Sequence, residues 1–407
     1  MTQHAAGNDG AATEAKLPRR DWMLLPLLGV LTISLIAGST ELIARRIFSE
    51  SLSSLNNCLI MDDPATGVRA IPNSTCLYKM PESLPIEYRF NISGYRADTE
   101  YATKAPETYR IVMAGSSMTM GWGVQREQSF AALLPAELSR LTGRKVELYN
   151  NAMMYEVPHT VALRLDETLA AKPDMILWIL TYWDIEYAEN ASPVRIKPLD
   201  STAFMGRTRG RLKEVMDEKS LAGAISHLTG IAHDLLDSTK TKYLLQHFLD
   251  ESQNQYIESH LQGPEAEFLR AEPSAEWQRH LRSFDSYAAE IAARARAAGV
   301  PLVITLVPWR VQASMLSMDE FPKGYDPCKL EGTLRAIVTR DGGTYLDILP
   351  DYLTVPNPEQ HYFPVDGHPD AGGHAMIAGF LARELTRGTN STFALAAQQQ
   401  PALEKSK

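Results

Sequence analysis

Two short segments carry residue types that could do chemistry together. The first, Gly115-Ser116-Ser117-Met118-Thr119-Met120-Gly121-Trp122-Gly123, follows the apolar run RIVMA at 110–114. A serine on a turn from strand to helix presents its hydroxyl at the carboxyl edge of a sheet. Its own N–H then faces an incoming oxyanion, and a helix start lies near to favour negative charge. Ser117 occupies that place and is a candidate nucleophile. The second segment, Val365-Asp366-Gly367-His368-Pro369-Asp370-Ala371-Gly372-Gly373-His374, lies far downstream. A neutral imidazole takes a serine's proton when an acceptor holds its other nitrogen, and Asp366, on the same Gly-containing turn as His368, can supply that acceptor. Taken singly, each segment has a plainer use: a Ser-Ser pair caps a following helix, and an Asp-Gly turn can lead a capping histidine into one.

For these segments to meet, the chain must build a sheet that gathers them at one edge. The pattern from 107 onward predicts one. Apolar runs at 110–114, 145–149 (KVELY), 174–181 (DMILWILT), 301–307 (PLVITLV) and 344–346 read as five strands. They alternate with helical periodicity at 128–141, 159–171, 277–298 and 370–385. Such βαβ alternation implies a parallel sheet with right-handed crossovers, hence an α/β, flavodoxin-like three-layer sandwich around a five-stranded parallel sheet. Residues 185–299 are read as a helical insertion between the third and fourth strands, serving either as packing at one end of the sheet or as a wall of the ligand cleft. His361, His374 and Asp347 are left without a catalytic role, and Met113, Met118, Met120, Met153 and Met154 are read as packing around the site.

Ahead of this domain the composition changes. Between Asp21 and Glu41 lie 19 uncharged, mostly apolar residues, which as a helix would measure about 28 Å. Lys16, Arg19 and Arg20 precede the run, and Arg45 and Arg46 follow it. A cleaved signal peptide can also begin this way, but the length of the run and the lack of a small-x-small site before Glu41 favour an uncleaved anchor. The chain is therefore divided into a polar cytoplasmic tail (1–21), a transmembrane anchor (22–44), a loop-rich juxtamembrane stretch (45–106), the α/β domain (107–387) and a disordered tail (388–407). Cys58 and Cys76, 18 positions apart, are either a disulfide suited to an oxidising compartment or two unrelated thiols. Cys328 has no companion at metal-ligand spacing, and no metal or dissociable cofactor is implied. Forty Lys and Arg against 49 Asp and Glu give a net charge of −9 without a basic stripe, which argues against a nucleic-acid partner.

Together, YRIVMAGSSMTMGWGV and DGHPDAGGH resemble the first and last blocks of the SGNH, or GDSL-like, hydrolase family, and the similarity in strand-helix rhythm spans about two thirds of the chain. The resemblance implies a catalytic Ser117, Asp366 and His368 acting on an ester. It also implies an oxyanion hole built from the Ser117 N–H, a second-block glycine and a third-block asparagine. Here those last two positions correspond to Tyr155 and Trp183, which leaves Asn150 and Asn151 as the nearest amide candidates, and Trp183 as a ring able to stack on a sugar face. Anchored relatives of this kind point to acyl, chiefly acetyl, esters of an envelope or extracellular polysaccharide as substrate. They point also to a membrane-bound acyl-transfer or polysaccharide-assembly partner, and to a single-pass location in a bacterial inner membrane with the domain in the periplasm or another extracytoplasmic space. A catalytically silent relative that binds glycan or a partner protein is the alternative.

Overall fold

The computed structural model describes residues 21–49, 55, 57–97, 100–101, 103–190, 239–318 and 320–387. Both terminal tails, and 191–238 of the expected insertion, lie outside the described residues. At the centre is a five-stranded sheet in the order β6 (Lys145–Asn150), β5 (Thr108–Ala114), β7 (Met175–Leu180), β8 (Leu302–Leu306), β9 (Thr344–Tyr345), with every neighbouring pair parallel. This is the α/β class and strand number expected from the sequence.

The strands read as unbroken apolar runs because both sheet faces are covered, so neither face needs polar residues. All six residues of β7 are buried. Their alternation divides them between two cores. Met175, Leu177 and Ile179 join Ile111 and Met113 of β5 under helices α3 (Phe130–Thr142), α12 (Leu349–Tyr352) and α13 (Ala371–Thr386). Ile176, Trp178 and Leu180 face the opposite layer, which contains α4 (Pro158–Leu163), α5 (Leu165–Ala170), α9 (Ala275–Ala297) and α11 (Lys329–Arg340).

Helix boundaries follow local chemistry. Asp370, expected as the first residue of the last helix, is instead its cap: its carboxylate accepts the Gly373 N–H at 2.8 Å. The single helix expected over 159–171 is two, divided at Arg164, which leaves helical geometry (φ −87°, ψ 2°) while its guanidinium pairs with the buried Glu156 at 2.8 Å.

The stretch read as loop-rich contains two antiparallel hairpins, β1 (Leu59–Asp63) with β2 (Gly67–Ala70) and β3 (Thr75–Tyr78) with β4 (Ile86–Arg89). Their strands are four or five residues long, too short for alternation to stand out from loop composition. Cys58 and Cys76 are disulfide-bonded. The hairpins build a third core that includes Met120, Trp122, Met153 and Met154, so this small unit packs directly on the rim of the large sheet. The methionines read as packing are thus shared between cores.

Helix α1 (Asp21–Ile47) contains the segment Met23–Ile47, of mean hydropathy 1.9, which is long and apolar enough to cross a membrane and whose most apolar stretch is not buried within the fold. Its last turns meet α7 (Lys240–Asp250), where the Glu41 carboxylate accepts the backbone N–H groups of Lys240 and Thr241 at 3.2 and 2.9 Å. Helix α8 (Gln253–Leu261) follows.

Candidate active site

In a doubly wound sheet the loops on either side of the point where strand order reverses diverge, leaving a crevice at the carboxyl edge. That point lies between β5 and β7, and Ser117 follows β5. The turn is possible because of Gly115. Its φ is +148°, and a Cβ there would lie 2.4 Å from Thr119 Oγ1 and 2.7 Å from the Ile179 carbonyl oxygen, so no side chain fits. Ser116 is buried, whereas Ser117 opens the four-residue helix α2 (Ser117–Met120) half-exposed. As the first helical residue, its N–H has no acceptor within that helix.

Ser117 Oγ lies 2.8 Å from His368 Nε2. On the other side of the ring, His368 Nδ1 lies 2.7 Å from Asp366 Oδ1, which also accepts the His368 backbone N–H at 3.2 Å. With the proton on Nδ1, the imidazole donates to the carboxylate and offers its Nε2 lone pair to the serine hydroxyl. The three groups form one continuous hydrogen-bonded line across residues 251 positions apart.

The turn that carries Asp366 and His368 is narrow. Gly367 has φ +82°, and a Cβ on it would enter the Trp309 indole at 2.8 Å. Two tryptophans flank the imidazole: Trp309 edge-on, with centroids 4.8 Å apart, and Trp122, at 6.2 Å. The Trp122 Nε1–H also donates to Asp366 Oδ2 at 3.3 Å. Burial by itself would raise the Asp366 carboxyl. The charge His368 can take up, its hydrogen bonds and that of Trp122 outweigh burial and hold Asp366 below the usual aspartate range. A carboxylate that stays ionised is what steadies an imidazolium formed during proton transfer.

The other residues marked in the sequence divide differently. Asn150 Nδ2 donates to the Thr119 carbonyl at 2.9 Å while its Oδ1 accepts the Ala152 N–H at 3.1 Å, so this amide braces the turn below the serine. Asn151 directs its amide to Thr168 of α5 at 3.5 Å. Both are buried and committed to the scaffold. Trp183 stands in the first turn of α6 (Tyr182–Glu186), at the carboxyl end of β7, half-buried and packed on Tyr187 at 4.1 Å between centroids. Next to it burial pushes the Asp184 carboxyl up to about 7, although the Thr181 N–H and hydroxyl both donate to it. Tyr155, at the position where the resemblance puts a glycine, has φ +61°, the left-handed conformation that glycine enters freely. Backbone shape at that position is the one a glycine favours, under a different side chain.

Several groups that shape the site do not stand out in the sequence as site residues. Arg96 is buried, lies over the Tyr88 ring at 4.1 Å, and donates to the carbonyls of Met120 (3.1 Å) and Val124 (2.7 Å), fixing the loop that presents Trp122. Glu82, His247 and Trp309 reach the site from distant elements. Nothing local in the sequence marks Glu82, His247 or Trp309 for this place.

No family model and no curated protein sequence matches the chain. Solved structures similar to it include TesA (13% identity, covering 68% of this chain and 98% of that one, TM-score 0.35). An acetyl xylan esterase, AlAXEase, is similar at 11% identity over 67% of this chain and 97% of its own (TM-score 0.37). A member of the lipolytic protein G-D-S-L family from Veillonella parvula is similar at 12% identity over 69% of this chain and all of its own (TM-score 0.35). These likenesses are distant, and the functional reading rests on the site of this chain.

Proposed function

We propose that the chain is a membrane-anchored serine esterase or O-acyltransferase of SGNH type, with Ser117 as nucleophile, His368 as general base and then acid, and Asp366 as the group that orients the imidazole. One observation carries the reading: the Ser117–His368–Asp366 hydrogen-bonded line at the carboxyl edge of the sheet, with contacts of 2.8 and 2.7 Å.

Ser117 Oγ attacks the acyl carbonyl carbon while its proton passes to His368 Nε2. The C=O pair moves onto oxygen, where the Ser117 N–H meets it, and Tyr155 offers the backbone position for a second donor. Collapse expels the alcohol, which takes the proton from His368, and leaves acyl-Ser117. Water or a sugar hydroxyl then gives its proton to His368, attacks the acyl carbon and releases the acid or the new ester, returning the proton to Ser117.

An acetylated polysaccharide is the substrate class this reading takes, with Trp183 at the rim as a stacking surface. The anchor (22–44), the cytoplasmic tail before it, the domain at 107–387 and its extracytoplasmic location in a bacterial inner membrane belong to the same proposal. The bonded Cys58 and Cys76 and the exposed apolar α1 support it. A second reading, a silent glycan- or partner-binding relative, is favoured by the commitment of the Asn150 and Asn151 amides to the scaffold. One missing oxyanion donor costs about 10²–10³ in rate. The detergent-solubilised full chain assayed with p-nitrophenyl acetate decides between them: hydrolysis abolished by Ser117→Ala supports the enzyme, and polysaccharide binding without hydrolysis selects the binder.

A further inference from the structure

A buried carboxylate outside the triad grips the turn that carries two of its members. Glu82, in the loop between β3 and β4, has a side chain only 2% exposed. Its Oε2 accepts the backbone N–H of Asp366 at 2.9 Å, and both oxygens lie within reach of the Val365 N–H, at 3.1 and 3.2 Å. The remaining capacity of Oε1 is taken by His247 Nδ1 at 2.7 Å. A carboxylate is removed from water at considerable cost unless charged or hydrogen-bonding partners replace it, and here most of those partners are main-chain donors of the catalytic turn.

The same turn is held from its other side. Arg310, in the first turn of α10 (Arg310–Leu316), donates to the Pro364 carbonyl at 2.6 Å and to the Asp250 carbonyl. His247 and Asp250 both belong to α7, so one helix fastens the turn at two points: through Glu82 at Val365 and Asp366, and through Arg310 at Pro364. Helix α7 in turn rests on the end of α1, where Phe48, the residue after the helix, lies against Tyr243 and His247 at 5.2 and 5.3 Å between ring centroids.

We propose that Glu82, clamped by His247, is a positioning residue for the hydrolytic site: it fixes the backbone of Asp366 so that the carboxylate meets His368 Nδ1 and the imidazole meets Ser117. The proposal rests on the esterase reading. Glu82 touches no reacting atom. It acts by holding the peptide from which the orienting carboxylate projects, where a displacement of about 1 Å can cost about 10²-fold in rate.

The test uses the full chain in detergent. Glu82→Gln keeps the size but presents an amide N–H₂ toward backbone donors. Its kcat should fall roughly 10- to 100-fold with KM within about twofold. The downfield proton resonance of the His368–Asp366 hydrogen bond should shift or broaden, and Glu82→Asp should recover part of the rate. His247→Ala should lower kcat by a smaller factor and add little in the Glu82→Gln background, because the two act through one contact. A Glu82→Gln protein with wild-type kcat and an unchanged resonance overturns the proposal, as does a loss confined to KM. If Glu82→Gln does not fold, the partly exposed His247 decides: His247→Ala with unchanged kcat and resonance overturns it equally. Failure of the esterase reading looks different, since wild type would then neither hydrolyse ester nor react at Ser117. The resonance in wild type and variants would in that case settle the role of Glu82 alone.

Discussion

Two histidines six residues apart, His368 on the rim turn and His374 in the first turns of α13, show how surroundings decide what an imidazole does. His368 has a carboxylate on one nitrogen and a hydroxyl on the other, and stands partly exposed at the carboxyl edge of the sheet. His374 is fully buried between α3 and α13. Its Nδ1 accepts the Phe130 backbone N–H at 3.2 Å, which caps α3 from a neighbouring helix. Burial, with the nearby positive charge of Arg96, drives its pKa down to about 3. One ring bridges a hydroxyl and a carboxylate at the rim; burial keeps the other neutral between two helices. A histidine close to the rim turn therefore does not share its chemistry by closeness alone.

The largest effect of a substitution is expected at the rim. With Ser117 as the proposed nucleophile, Ser117→Ala should reduce ester hydrolysis by about 10⁴-fold or more while leaving the melting temperature within a few degrees, because the residue is half-exposed and not part of the core. Steady-state kinetics beside a thermal melt checks both halves, and a variant retaining the wild-type rate would remove Ser117 from its role. Asp366→Asn should cost about 10²–10⁴ in kcat with little change in KM, since the amide stabilises the wrong tautomer of His368.

The buried histidine should be felt in stability instead. Its folded-state pKa is depressed below the ordinary value of 6.5, so its contribution is present above that pH and is lost as pH falls, because the unfolded chain takes up the proton first. By pH 5 the loss is about 2 kcal/mol. Urea unfolding of wild type and His374→Gln between pH 7 and 5 measures it: the wild type should lose stability more steeply than the variant, and parallel curves would show that His374 titrates normally. Asn150→Ala carries the smallest expected effect. Its two hydrogen bonds are structural, so stability should fall by about 1–2 kcal/mol while kcat of the folded protein stays within about threefold. A loss of about 10²–10³ in kcat at unchanged stability would instead make Asn150 an oxyanion donor.

What the sequence disclosed and what it hid follow from the range of the contacts. Residues 110–114, 174–181 and 301–307 announce themselves because strands buried on both faces must be apolar throughout, and 128–141 and 277–298 because a helix with one wet face repeats every three to four residues. Ser117 and the Asp366–His368 pair were legible because each lies on a Gly-bearing turn whose local chemistry is distinctive. The commitment of Asn150 to Thr119 and Ala152, the two indoles around His368 and the grip of Glu82 were not. Trp122 meets Asp366 across 244 positions, and Glu82 meets Asp366 across 284. Such pairings are set by how the hairpin unit docks on the sheet, and four-residue strands leave little trace in sequence. The division of one expected helix at Arg164 has the same origin, a guanidinium drawn to a carboxylate by the tertiary fold.

As the proposed general base, His368 is expected to raise the nucleophilicity of the Ser117 hydroxyl. Incubating the full-length protein in detergent with an alkyl fluorophosphonate, followed by intact-mass and peptide mass spectrometry, addresses it without assuming a natural substrate. A single adduct on the peptide containing Ser117, slowed strongly in His368→Ala and absent in Ser117→Ala, is the result expected. No adduct on wild type, or one on a different residue, would contradict the claim.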